Sequence, residues 1–151
     1  MQNKLLLPIL GLATLLFMFI FFLTNPSYEK SLRAKYYYEM GEYKEAYTLA
    51  NEAFSLDLYN RMASTIMAQS KTSLKYVAYV NDAKKYMKQI NEIAAHDSIT
   101  DADKAKIRLM CNIMIDWYPK LAPSVITDPK LVSEVKKHYN NFEKLLEKVT
   151  H

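Results

Sequence analysis

The chain has 151 residues, half of them hydrophobic and 24% charged, with two glycines and one cysteine. That apolar content excludes a disordered chain, the glycine count argues against an all-β domain, which needs turn glycines at regular intervals, and the single cysteine excludes an intrachain disulfide or a cysteine-based zinc site. The formal net charge is +4, but lysines and acids alternate, as in Glu42–Tyr43–Lys44–Glu45, so the concentrated basic face of a nucleic-acid binder is missing.

Residues 5–23 read LLLPILGLATLLFMFIFFL and carry no charge. At ~1.5 Å per residue this run makes a helix about 29 Å long, close to the apolar thickness of a bilayer. Fourteen of its 19 residues are Leu, Ile or Phe, each favouring insertion by roughly 0.3–0.6 kcal/mol near the helix centre. Pro8 falls in the first turn, where its missing N–H does little harm. The alternative is a cleaved signal peptide. Against it, the run is longer than a signal's apolar region and ends in FFLTNPSY instead of a small-x-small site. The sequence therefore predicts an uncleaved single-pass anchor over 1–24, with residues 5–23 in lipid. The flanking charge is nearly balanced and leans slightly toward a cytoplasmic C-terminal domain: the α-amine and Lys4 precede the run, while Lys30, Arg33 and Lys35 follow it with Glu29 among them. The short N-terminal tail tips the expectation toward an extracytoplasmic, periplasmic domain over a cytoplasmic one.

Beyond the anchor the periodicity is helical throughout. Asn25–Pro26 caps and opens a helix over 26–40, which Gly41 ends. In 42–57, Tyr43, Ala46, Tyr47, Ala50, Ala53 and Phe54 recur at three and four. A turn over 57–60 leads to a helix over 60–72 (Met62, Ile66, Met67) and then a longer one over 75–96 (Tyr79, Ala83, Met87, Ile90, Ile93). Thr100 with Asp103 has the form of a capping box and opens a helix over 101–118. Pro119, Pro123 and Pro129 bracket a loop, and Asp128–Pro129 starts the last helix, 129–149, with the seam Val132, Val135, Tyr139, Phe142, Leu146 and Val149. The expected fold is all-α: an N-terminal transmembrane helix, then about six stacked antiparallel helices. They divide into helical hairpins over 25–96 and a C-terminal helical pair over 97–151 that caps the stack.

Around Gly41 the small residues form a pattern. Ala34 and Tyr37 lie before it, and Ala46, Ala50 and Ala53 after it, within EYKEAYTLANEAF. This resembles a tetratricopeptide repeat, a hairpin unit of about 34 residues. Small side chains there let two helices approach closely while an aromatic fills the gap between them. Lys30 and Arg33 stand where the family has apolar residues, and Leu58 where proline is common. A second, degenerate unit starts at Arg61, with Met67 and Ala68 in its first helix and Ala83 in its second, so the resemblance covers roughly 27–94. It implies stacked hairpins whose first helices line a concave groove for peptides or partner helices. The implied groove residues are Tyr28, Leu32, Lys35 and Tyr38, then Met62, Thr65, Ile66 and Gln69. Ten of the twelve tyrosines lie between residues 28 and 86, and tyrosine is enriched at interfaces.

Chemistry-bearing constellations are missing from the sequence. His96, His138 and His151 share no ligand spacing, and no phosphate loop or nucleophile elbow is present. No catalytic residue, metal ligand or cofactor is therefore expected. Cys111, within the apolar stretch 107–115, reads as a small buried hydrophobe. Trp117–Tyr118–Pro119 reads as the core anchor of its helix, and Asp101 and Asp103 as first-turn acids. These features point to a membrane-anchored protein-interaction module. It would serve as adaptor, chaperone or structural subunit of a bacterial membrane complex for secretion, motility or translocation. Its partners would be other proteins and the bilayer. The alternative is a subunit of a membrane enzyme whose active site is shared with another chain. A third possibility is a scaffold that self-associates through helix 129–149.

Overall fold

The computed structural model describes residues 3–123 and 127–150. Residues 124–126, inside the expected proline-bracketed loop, and His151 lie outside the described residues, as do the side chains of Leu5, Phe22 and Leu23 at the ends of the expected anchor. Among the described residues there is no strand. The helices are α1 (Asn3–Thr24), α2 (Pro26–Glu39), α3 (Tyr43–Leu56), α4 (Arg61–Ala94), α5 (Asp101–Trp117) and α6 (Pro129–Thr150), with a 3-10 turn at Tyr118–Leu121.

The count after α1 differs from expectation. The helices expected over 60–72 and 75–96 are one unbroken helix of 34 residues, α4. The hydroxyl cluster Ser70, Thr72, Ser73 has the composition of a turn. Yet no glycine or proline interrupts it, and Ser70 and Ser73 are fully buried. Small side chains on a buried helix face do what alanines do elsewhere, and tertiary burial overrides local preference. The second hairpin expected from Arg61 is therefore not formed.

Contacts divide the chain into two compact units, Met1–Lys71 and Thr72–His151. In the first, α1 leads directly into α2: Asn25 N–H still donates to Phe21 O at 3.0 Å. The Asn25 side chain then accepts from the amides of Ser27 and Tyr28, with Pro26 at the first helical position. The described side chains of α1 from Leu6 to Phe21 are exposed. Among the described residues no single helix is long and apolar enough to cross a membrane; Leu6–Phe21 and Pro26–Glu39, bent by 75°, reach that length and composition together.

Gly41 ends α2 with φ +84°, a left-handed conformation that glycine adopts without a Cβ penalty. Glu42 N–H then reaches back to Tyr37 O at 2.9 Å. The chain reverses into α3, and the two helices run antiparallel. Tyr38 and Tyr43 meet edge-on near the turn, and at the far end Ser27 Oγ donates to Ala53 O at 2.8 Å. Between them Ala34, Ala46, Ala50 and Ala53 are completely buried. An interface lined with single methyl groups brings the two backbones close, and any longer side chain there would force them apart.

In the second unit Tyr79, Val80 and Ala83 of α4 meet Ile107, Met110 and Met114 of α5 and Val135 and Phe142 of α6. The α6 seam thus packs into this unit's own core. Tyr79 Oη donates to Met114 O at 3.1 Å, satisfying a buried hydroxyl. Trp117 meets Tyr79 edge-on, and Tyr118 stacks on Tyr139 with centroids 4.1 Å apart. The capping box at Thr100–Asp103 is present, and Asp128 Oδ1 accepts from Lys130 N–H at 2.8 Å to start α6.

Candidate functional site

A single buried asparagine sets α4 beside α2. Asn60 Oδ1 accepts from Ala63 N–H at 3.1 Å and so caps α4. Its Nδ2 donates to Ser27 Oγ at 2.9 Å and to Ser31 Oγ at 3.2 Å. Ser27 Oγ in turn donates to Ala53 O on α3, and Ser31 Oγ donates to Tyr28 O. Each hydroxyl donates once and accepts once, so the buried polar cluster is satisfied by its own members and the backbone. The arrangement ties α2, α3 and the start of α4 to one another with directional bonds.

The space left between α2 and α4 is a groove of about 410 Å³, lined by Lys35, Tyr38 and Glu39 from α2 and by Arg61, Met62, Thr65, Ile66 and Gln69 from α4. Ile66 is buried against Ala34, Ala46 and Ala50 and forms the floor. Tyr38 and Met62 are half-buried walls that pack on the same cluster. Charge sits at the rim. Lys35 Nζ lies 3.8 Å from Glu39 Oε1, an exposed pair one helical turn apart, which contributes little stability. Arg61 is exposed.

Lys35, Tyr38, Met62, Thr65, Ile66 and Gln69, which the repeat resemblance singles out, are therefore neighbours in space. Tyr28 and Leu32 do not line this groove: Tyr28 is half-buried and Leu32 is exposed farther along α2. Sequence reasoning missed Glu39 and Arg61 at the rim and the Ser27–Ser31–Asn60 cluster beneath. The signal for Asn60 was available, since an asparagine stands directly before a helix. Its reach to residues 33 and 29 positions earlier was not.

Elsewhere the shifted titratable groups have structural causes. Burial pushes the Cys111 thiol up to about 11, which leaves it protonated and unreactive at neutral pH. Burial lowers His138, with Glu134 opposing. Hydrogen bonds from Thr100 hold Asp103 below the usual carboxylate range, as the cap of α5 requires. Among the described residues no three His, Cys, Asp or Glu side chains gather as a metal site. Comparison with protein families, characterised proteins and solved structures gives no match.

Proposed function

We propose that this chain is a single-pass, membrane-anchored adaptor that docks a helix or extended segment of another protein in the groove between α2 and α4, as part of a larger bacterial membrane assembly. The observation that carries the reading is the groove itself: an apolar floor and walls of Ile66, Tyr38 and Met62 under a rim of Lys35, Glu39 and Arg61. An apolar centre with a polar margin is the anatomy of a protein interface, and tyrosine supplies contact area with few rotors to freeze. The closely packed alanines of α2 and α3 support the tetratricopeptide-like reading for this first hairpin. The exposed, uncharged side chains from Leu6 to Phe21 of α1 support the anchor, because apolar surface of that extent needs a lipid or protein cover. Anchoring confines the groove to the membrane plane and raises its effective concentration toward a membrane-bound partner. The extracytoplasmic placement of the helical units belongs to the same proposal.

Two measurements test it. A photo-crosslinking residue at exposed Thr65 in the full chain, in intact cells, gives one discrete protein adduct; the same residue at Thr48 on α3 does not, and Met62→Glu abolishes the Thr65 adduct. Equal labelling from both positions would overturn the groove. In parallel, the full chain stays with membranes after alkaline carbonate washing, whereas a chain lacking residues 1–24 is released. Release of the full chain would remove the anchor.

A further inference from the structure

The last residue of α3 and the turn that follows it expose three large apolar side chains: Leu56 is 56% exposed, Leu58 67% and Tyr59 92%. Surface turns ordinarily offer polar groups to water. Here the polar residue of the turn faces its own backbone, since Asp57 Oδ1 accepts from Tyr59 N–H at 2.9 Å and Asn60 N–H donates to Asp57 O at 3.1 Å. The turn is held by these bonds with Leu58 and Tyr59 pointing outward.

Its position gives that exposure a meaning. The residues flanking the turn, Ala53 and Asn60, both bond to the Ser27 hydroxyl. Ser27 stands just past the end of α1 at Thr24. The turn therefore occupies the end of the α2–α3 hairpin from which α1 departs. The opposite end, at Met40–Glu42, lies the length of α2 away, 14 residues or about 21 Å at ~1.5 Å per residue, but because α2 is bent by 75° from α1 most of that distance runs sideways to the α1 axis and not along it.

We infer that the Leu56–Tyr59 turn is a second membrane contact, seated in the boundary between lipid headgroups and acyl chains beside the point where α1 leaves the bilayer. The inference rests on reading α1 as a membrane helix. Tyrosine favours that boundary, where its ring is apolar and its hydroxyl stays wet. Leu58 beside it adds apolar area without an unsatisfied polar group. A helix in lipid fixes only one point of the first unit; a turn in the interface fixes a second, and so sets which way the groove faces above the membrane.

The test uses the full chain with its native tryptophan removed by Trp117→Phe, which keeps a ring against Tyr79, and one tryptophan introduced at a time: Phe17→Trp in α1 or Tyr59→Trp in the turn. Each variant is reconstituted in phosphatidylcholine–phosphatidylglycerol vesicles whose acyl chains carry bromine either near the headgroups or near the bilayer centre. Phe17→Trp loses most emission with deep bromine. Tyr59→Trp is blue-shifted relative to water-exposed tryptophan and loses most emission with shallow bromine. If Phe17→Trp is quenched while Tyr59→Trp is not and emits like water-exposed tryptophan, the turn contact is overturned and the anchor stands. If Phe17→Trp is not quenched, both readings fall. Leu58→Trp is a second reporter for the turn, and circular dichroism in the same vesicles verifies that each variant is folded.

Discussion

Asn60 is the side chain on which three helices of the first unit converge, and its replacement separates capping from cross-linking. Asn60→Ala removes the cap of α4 and both bonds to α2; the expected cost is about 2 kcal/mol, read as a lower urea midpoint. Asn60→Asp keeps the acceptor for Ala63 but offers no N–H to Ser27 and buries a charge, so it should not restore stability. An unchanged midpoint in Asn60→Ala would show that water replaces these bonds at no cost. Cys111 provides a pH test in the second unit. Its thiol is raised from an ordinary 9.0 to about 11 by burial. The unfolded chain therefore ionises first. The stability linked to the neutral thiol is complete below pH 9 and is lost as pH climbs toward 11. Tyr79 is raised by the same cause and acts with the same sign. The folded protein should not react with iodoacetamide at neutral pH, and Cys111→Ala should flatten the alkaline fall in urea stability without abolishing it. The buried Cys111 was legible from its apolar neighbours alone. The polar cluster under the groove was not, because hydrogen bonds between residues some thirty positions apart leave no local periodicity.

At the scale of elements, α1, α2, α3, α5 and α6 follow from capping and spacing rules, and their ends fall where Asn25, Gly41, Thr100 and Asp128 place them. The long α4 does not. Ser70, Thr72 and Ser73 have turn composition, and only the packing that buries Ser70 and Ser73 makes them helical. Continuity can be tested at exposed Lys71. Lys71→Pro removes a helix-interior N–H and clashes with the preceding turn, for an expected loss of about 3 kcal/mol or more. A turn at that place would tolerate it. Thermal unfolding reads the difference, and amide hydrogen exchange should show unbroken protection from residue 66 to 80. The α2–α3 hairpin has its own test. Ala50→Leu puts a branched side chain where the helices touch, and overpacking of this kind costs about 1–3 kcal/mol. Ala122→Gly should act in the opposite direction, since Ala122 adopts φ +45°, and glycine relieves that strain by up to about 1 kcal/mol.

For the whole molecule, the residues implied by the repeat resemblance meet in a groove where they share a helix face within a few turns. Lys35 and Tyr38 on one helix, and Met62, Thr65, Ile66 and Gln69 on another, each follow an i, i+3, i+4 progression, and the opening turns of α4 suffice to bring the sets together. That is why the groove exists although the second hairpin does not. Tyr28 and Leu32 extend the same row on α2 toward its start and do not line the groove. The hydroxyls that Asn60 joins carry a last consequence for dissection. A fragment severed at Leu58 would lack both the asparagine and Ile66, leaving Ala34, Ala46 and Ala50 open to water. The smallest piece that could be transplanted onto another scaffold is thus α2 and α3 together with the opening stretch of α4, and a graft of the helical pair by itself should stay molten.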